Sequence, residues 1–122
     1  MLKDTLFKII LSDHQEGIIN ATLELNKNNE IFIGHFPSEP LLPGACMLQM
    51  VKEVLETTLN MLLRLKKADQ IKFLGLIDPR ISNILQVTIT YRSADDNNVS
   101  VTASFTAQKE SCLKFRGTFV AQ

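Results

Sequence analysis

The chain has 122 residues, of which thirteen are basic, thirteen acidic and 45% hydrophobic. This composition is typical of a globular protein, and the length predicts one domain over residues 1–122 with a core of its own. The zero formal net charge argues against a nucleic-acid partner, because nucleic-acid-binding domains carry a basic excess.

The residues before position 34 predict short strands and a turn. Residues 6–11 form an apolar run of undetermined type. Residues 18–25 alternate, so that Ile19, Ala21, Leu23 and Leu25 share one side, which predicts a strand with one buried face. Residues 26–30 are polar and predict a turn, and residues 31–33 predict a second short strand.

The segment from Gly34 to Gly44, GHFPSEPLLPG, has three prolines in eleven residues. Proline is excluded from helix interiors and central strands, so this segment is predicted to be a rigid, irregular connection.

A long helix is predicted from Gly44 to about Lys66, since Pro43 suits a helix start. Its apolar face is expected to contain Met47, Leu48, Val51, Val54, Leu55, Thr58, Leu62 and Leu65. Its polar face is expected to contain Gln49, Lys52, Glu53, Glu56, Asn60 and Arg64. The first turns, GACMLQMV, are apolar nearly all round, which predicts that they are covered on every side.

The remainder of the chain predicts strands. These are residues 70–77, 85–91, 99–108 and 113–121, with a turn at the DDNN sequence of residues 95–98. The last three fit an antiparallel meander. The order of elements predicts an α+β fold in which an antiparallel sheet wraps around one central helix.

His35 lies in the proline-rich connection, close to the predicted helix start. The N–H groups of Gly44, Ala45 and Cys46 are expected to be free there, and such a helix end can bind the oxygen of a polarised carbonyl group. A neutral histidine nearby could remove a proton next to that carbonyl. A histidine that only caps the connection is the alternative these residues leave open.

The same segment resembles a known signature. GHFPSEPLLPG resembles the G-H-F-P-x-x-P-x-x-P-G motif of the β-hydroxyacyl-[acyl-carrier-protein] dehydratases of bacterial fatty-acid synthesis, through His35, Phe36, Pro37, Pro40, Pro43 and Gly44. Upstream, NNEIFIGHFP resembles the family's N-x-P-F-F-x-G-H-F-P approach. Downstream, residues 73–78, FLGLID, resemble its F-x-G-I-D strand.

The resemblance implies a hot-dog fold and a dimer, with each active site in an acyl-chain tunnel at the dimer interface. His35 is then the catalytic histidine, and the Gly44 N–H polarises the thioester carbonyl. Phe36, Pro43 and Ala45 are implied to contact the substrate, an acyl thioester on acyl carrier protein. The second catalytic residue of the family is a glutamate or aspartate fourteen places after the histidine, contributed by the other protomer.

The chain departs from the family at this second position. Fourteen places after His35 stands Gln49, which can orient a hydroxyl group but cannot protonate it. The family usually has glutamine four places later, where this chain has Glu53. Glu53 lies one helical turn away, about 5.4 Å, so it could substitute for the acid only with a shifted substrate or a bridging water. The alternative is that both residues belong to a solvated stripe. The chain also lacks the P-G-D loop that follows Asp78 in the family.

Three functions are compatible with this pattern. The first is a dehydratase that is impaired by Gln49. The second is a non-catalytic or half-site subunit that binds acyl carrier protein or forms a heterodimer with a complete dehydratase. The third is a hot-dog thioesterase. The H-F-P segment argues against this function, because the segment resembles the dehydratases. A homodimer or higher homo-oligomer is predicted, and the basic residues Arg64, Lys66, Lys67 and Lys72 could meet an acidic carrier protein.

The other chemically active residues give weaker signals. Cys46 and Cys112 belong to no Cys-x-x-Cys pair, so a reduced, cytoplasmic protein with buried cysteines is predicted. His14, beside acidic residues, is expected to be solvated. Two separated histidines predict no metal site, and no cofactor is predicted. No apolar run reaches about 18 residues, and MLKDTLFKIIL lacks a signal-peptide cleavage site, so no membrane association is predicted.

Overall fold

The computed structural model describes the backbone of residues 1–34 and 41–122 and the side chains of residues 1–32 and 41–122. In this part of the chain, six strands and two helices follow in the order β1 (Phe7–Gln15), β2 (Ile18–Leu25), α1 (Glu30–Gly34), α2 (Gly44–Leu59), β3 (Leu63–Phe73), β4 (Ile84–Ser93), β5 (Asn98–Ala107) and β6 (Glu110–Ala121). A short 3-10 turn, Asp95–Asn97, precedes β5.

The strands form one antiparallel sheet in the order β1-β2-β4-β5-β6-β3. The predicted meander of β4, β5 and β6 is confirmed. The hairpin between β1 and β2 turns at Glu16 and Gly17, which both have positive φ (49° and 79°), as the twist of a two-residue hairpin requires. Strands β1 and β3 are the two edges of the sheet.

Helix α2 packs on one face of this sheet, where it contacts β2, β3 and β4. Its buried apolar residues are Met47, Met50, Val51, Val54 and Leu55. They pack against inward-facing residues of the strands, which alternate with exposed ones as in Ile19, Ala21, Leu23 and Leu25 of β2. The arrangement of a sheet around a central helix is therefore as predicted. No helix in the described ranges is long and apolar enough to cross a membrane.

The prediction of a strand over residues 31–33 is wrong, because these residues belong to helix α1. Asn29 starts this helix: its Oδ1 accepts a hydrogen bond from the Ile31 N–H at 2.9 Å, and its carbonyl oxygen accepts one from the Phe32 N–H at 3.1 Å. Phe32 is buried in the core. An asparagine before a short apolar run therefore marks a helix start here.

The prediction that the long helix reaches Lys66 is also wrong, because α2 ends at Leu59. Asn60 adopts a left-handed conformation (φ 53°, ψ 49°), which closes a helix. The Glu56 carboxylate then accepts a hydrogen bond from the Leu63 N–H at 2.8 Å, where β3 begins. As a result Arg64, Lys66, Lys67 and Lys72 lie on the exposed edge strand rather than at a helix end.

Candidate active site

The site is built around the N-terminus of α2. Pro43 is its first flanking residue, and its carbonyl oxygen accepts hydrogen bonds from the N–H groups of Cys46 (3.0 Å) and Met47 (3.3 Å). The expectation that the Cys46 N–H is free is therefore wrong. The N–H groups of Gly44 and Ala45 precede this turn and have no carbonyl partner inside the helix. These two groups are the donors at the positive end of the helix dipole.

The absence of a side chain at Gly44 has a packing reason. A Cβ atom there would lie 2.6 Å from Cε1 of Phe73, at the end of β3. The phenyl ring therefore lies directly against the Gly44 backbone, although 55% of the Phe73 surface remains exposed. An aromatic ring that is fixed on one side and open on the other thus borders the helix start.

His35 and Phe36, both predicted to act on the substrate, lie outside the described residues, so their positions remain predictions. The connection that contains them begins at the end of α1, at Gly34. After it, the Leu42 N–H donates to the Ile77 carbonyl oxygen at 2.9 Å. The chain following the connection is therefore attached to the segment between β3 and β4.

That segment, residues 74–83, contains a tight turn at Asp78. Arg80 donates to the Asp78 carboxylate at 2.7 Å, and the Asp78 carbonyl oxygen accepts from the N–H groups of Ile81 and Ser82, both at 3.0 Å. The hydrogen bond from Arg80 keeps the pKa of the Asp78 carboxyl below its ordinary value. No part of this segment forms a strand, so the predicted strand over residues 70–77 ends at Phe73.

Gln49 borders a small cavity of about 120 Å³ between α2, β3 and β6. Its lining residues are mostly apolar: Ala45, Leu48, Gln49, Val51, Lys52, Leu65, Phe115 and Phe119. Ala45 is exposed, and Leu48, Gln49 and Lys52 are half-buried. The helix start is thus open on the side of Gln49 rather than covered on every side within this chain.

Gln49 and Glu53 form a hydrogen-bonded pair on α2. The Gln49 side-chain amide donates to the Glu53 carboxylate, with 2.8 Å between Nε2 and Oε2. Residues four apart on a helix are neighbours, so the helix itself brings the two side chains together. Glu53 is expected from the sequence on the polar face of the helix, yet it is fully buried, with 0% of its surface exposed.

The N-terminal segment is the reason for this burial. The Leu2 N–H lies 2.9 Å from both Glu53 carboxylate oxygens, and the Lys3 N–H lies 2.8 Å from Oε1. Burial of a carboxylate is tolerated when several donors compensate for the lost water. These backbone donors carry no sequence signal, because any residue other than proline supplies an N–H, so they could not be found from the sequence.

The remaining candidates take no part in this arrangement. Burial raises the pKa of the Cys46 thiol, which disfavours the reactive thiolate form. His14 lies exposed on β1, and its Nε2 is 2.5 Å from the Tyr91 hydroxyl oxygen. Among the residues whose side chains are described, no group of three or more histidines, cysteines or acidic residues could hold a metal ion.

The sequence of this chain matches a known protein family over most of its length. Residues 11–117 match the family described as ApeI-like, ApeI dehydratase. The chain belongs to the ApeI-like dehydratase family. Among individual relatives, the 3-hydroxyacyl-[acyl-carrier-protein] dehydratase FabZ of Rickettsia felis is 27% identical over 123 aligned positions, which cover 94% of this chain and 82% of the relative. The dehydratase resemblance inferred from GHFPSEPLLPG is thereby confirmed at the level of the family.

Solved structures give the same fold. The dehydratase heterocomplex ApeI:P from Xenorhabdus doucetiae contains a chain that superposes with a TM-score of 0.77 at 20% identity, covering 92% of this chain and 96% of that one. The PaaI protein from the phenylacetic acid degradation operon of E. coli superposes with a TM-score of 0.68 at 16% identity, covering 99% and 83%. The fold is the hot dog, as predicted.

Proposed function

We propose that this protein acts on β-hydroxyacyl thioesters as a dehydratase whose own active site is impaired by Gln49. The observation that carries the proposal is the position of Gln49: it borders an apolar cavity beside the donors of the α2 N-terminus, and the acid expected at this position is replaced by an amide. The family match and the FabZ relatives support the choice of substrate class.

Elimination of water requires two proton movements. In the proposed reaction His35 takes the proton next to the thioester carbonyl, while the N–H groups of Gly44 and Ala45 stabilise the negative charge on the carbonyl oxygen. The bond between the β-carbon and its hydroxyl then breaks, and the hydroxyl must receive a proton to leave as water. Gln49 can hold this hydroxyl by a hydrogen bond but has no acidic proton to give.

Glu53 is poorly suited to replace the missing acid. Its carboxylate is fully buried and takes up hydrogen bonds from Leu2, Lys3 and Gln49, all of them N–H donors. A group that donates a proton to the substrate has to reach it, and Gln49 stands between Glu53 and the helix start along α2. We therefore assign the acid position to Gln49 alone.

A homodimer is part of the proposal. Strand β3 is an edge of the sheet, eleven residues long, and it exposes apolar side chains such as Leu65 (41% exposed) and Phe73. The unpaired backbone N–H and C=O groups of a long edge strand favour pairing with another strand, although Arg64, Lys66, Lys67 and Lys72 also lie on this one. Pairing of β3 with its copy would cover both this edge and the open side of α2.

A half-site role is the second candidate. The Xenorhabdus doucetiae protein is part of a dehydratase heterocomplex. If the acid of each site comes from the other protomer, a heterodimer with a complete homologue would pair His35 of this chain with the carboxylate of the partner. A thioesterase remains the third candidate, and only its fold favours it.

The test is steady-state hydration of a crotonyl thioester by the wild type and by Gln49→Glu. We expect little or no turnover in the wild type and at least about a tenfold gain in the variant, since a positioned general acid contributes about 10²–10⁴-fold. The introduced carboxyl would stand beside the Glu53 carboxylate, which favours its protonated form and hence its role as an acid. Wild-type turnover at the level of a complete dehydratase, abolished by Glu53→Gln but retained in Gln49→Leu, would instead place the acid at Glu53.

A further inference from the structure

In the Gln49–Glu53 hydrogen bond, the chemistry of the two groups determines which one is the donor. The described contacts of the Glu53 carboxylate come from N–H donors: the Leu2 N–H, the Lys3 N–H and the Gln49 amide. Because a carboxylate accepts and does not donate, the Gln49 amide must turn its nitrogen towards Glu53. The Gln49 carbonyl oxygen and one amide N–H remain for other partners.

Glu53 is itself held by a segment that has little freedom. The Leu2 carbonyl oxygen accepts hydrogen bonds from the N–H groups of Thr5 (3.2 Å) and Leu6 (2.7 Å), which folds residues 2–6 into a turn. The side chains of Leu6 and Phe7 are buried in the core, each with 1% of its surface exposed. The Leu2 and Lys3 donors are therefore fixed relative to the sheet, and they fix the Glu53 carboxylate in turn.

No described lysine or arginine forms an ion pair with Glu53, since the two ion pairs found among residues 1–32 and 41–122 are Lys67–Asp69 and Arg80–Asp78. The buried carboxylate thus depends on three hydrogen-bond donors, and one of them is the side chain that borders the apolar cavity. Such an arrangement constrains that side chain: rotation of Gln49 away from Glu53 would leave a buried carboxylate oxygen with one donor fewer, which is costly.

We infer that Glu53 is a positioning residue that fixes the Gln49 amide with its carbonyl oxygen available as a hydrogen-bond acceptor for the β-hydroxyl group of an acyl chain. This inference rests on the proposed function, because it assigns the role of the same site in substrate selection. The Gln49 carbonyl oxygen favours a 3-hydroxyacyl chain, whose hydroxyl can donate to it, over a 3-oxoacyl chain, whose ketone oxygen can only accept from the remaining Gln49 N–H. Glu53 would therefore set the specificity of the site without contacting the substrate.

The substitution Glu53→Gln is expected to reverse the Gln49 amide. The oxygen of the introduced side chain would accept the hydrogen bonds of the Leu2 and Lys3 N–H groups, which leaves its nitrogen facing Gln49. Gln49 would then have to turn its own carbonyl oxygen towards this nitrogen and present its two N–H groups to the cavity. The acceptor for the β-hydroxyl would be lost, although the charge of the substrate site itself would be unchanged.

The experiment measures dissociation constants of (3R)-3-hydroxybutyryl-coenzyme A and acetoacetyl-coenzyme A for wild type, Glu53→Gln and the control Glu56→Gln. The control makes the same chemical change on the same helix, where Glu56 also accepts from a backbone N–H but does not contact Gln49. In parallel, the Gln49 side-chain amide is observed by ¹⁵N NMR and assigned by its loss in Gln49→Leu. Neither measurement requires turnover.

We expect the wild type and Glu56→Gln to prefer the 3-hydroxyacyl thioester by about three- to tenfold, the contribution of one hydrogen bond. Glu53→Gln should bring this preference close to one and should move the Gln49 amide signal. If Glu53→Gln is poorly folded, the exchange variant Gln49→Glu with Glu53→Gln replaces it, because a carboxylate at position 49 is again an acceptor and should restore the preference.

Two results would overturn the inference. An unmoved Gln49 signal in Glu53→Gln would mean that the two side chains are not coupled. A moved signal with an unchanged preference would mean that Glu53 has only a structural role. If the proposed function itself is wrong, neither thioester should bind to the wild type. The inferred role of Glu53 in substrate selection would then also be wrong, even if the Gln49 signal depends on Glu53.

Discussion

The burial of Glu53 has a consequence for stability that can be measured without a substrate. In Glu53→Ala three donors lose their acceptor: the Leu2 N–H, the Lys3 N–H and the Gln49 amide, all within 2.9 Å in the native protein. A buried donor left without a partner costs about 1–3 kcal/mol. Since these donors are only partly buried, the lower value applies, and the free energy of unfolding should fall by about 3 kcal/mol.

The matched control is Glu56→Ala, in which one backbone donor, the Leu63 N–H, loses its acceptor. Both substitutions replace glutamate by alanine inside α2, so the change in helix propensity is the same and cancels in the comparison. The expected loss for Glu56→Ala is about 1 kcal/mol. Glu53→Gln should lie between the wild type and Glu53→Ala, because its amide retains one acceptor oxygen for the N-terminal segment.

The assay is urea unfolding followed by far-ultraviolet circular dichroism, at one fixed protein concentration because dimerisation would add to the apparent stability. The slope of the transition should be unchanged, so that the shift of the midpoint reports stability alone. If Glu53→Ala costs no more than Glu56→Ala, the contacts of Leu2 and Lys3 with Glu53 do not stabilise the fold, and the explanation for the burial of Glu53 is wrong.

Three further predictions concern the active site, the sheet and the assembly. His35→Ala should abolish hydration of a crotonyl thioester by the Gln49→Glu variant with an unchanged circular dichroism spectrum; unchanged turnover would remove His35 from the mechanism. Gly117→Ala should lower the free energy of unfolding by about 1–3 kcal/mol, because a Cβ atom would overlap with the Lys67 carbonyl oxygen. The control Gly75→Ala should be neutral, because the nearest atom to its Cβ would lie at 3.5 Å. Equal urea midpoints for the two variants would contradict this prediction. Light scattering at micromolar concentration should give the mass of a homodimer, and a monomeric mass would count against the proposed pairing of β3.

Several strands could be predicted from the sequence, because a strand with one buried face has alternating apolar and polar residues. In β2, β4 and β5 the alternation of apolar and polar residues matches the alternation of buried and exposed side chains, so these strands could be predicted from period alone. The start of α2 was equally predictable, since proline is tolerated at a helix N-terminus and excluded from its interior. The family motif, which ends at Gly44, predicted the candidate site next to the start of α2.

The end of α2 and the beginning of β3 could not be predicted in this way. Leu62 and Leu65 continue the helical spacing of the apolar residues, yet Asn60 takes the left-handed conformation and Glu56 binds the first N–H of the strand. Local periodicity favoured a longer helix, whereas pairing of β3 with β6 along the sheet outweighed it. Competition between a local preference and a long-range pairing is decided only when both partners are in place.

The dehydratase-like hot-dog fold and the amide at the position of the acid could be predicted from residue types at fixed spacings. The hydrogen-bond partner of that amide could be found only in the folded chain. Backbone N–H groups from the N-terminal segment, about fifty residues away in sequence, bury and hold Glu53, and Glu53 binds Gln49. Backbone donors are the same in nearly every residue, so no pattern of side chains could have revealed this contact.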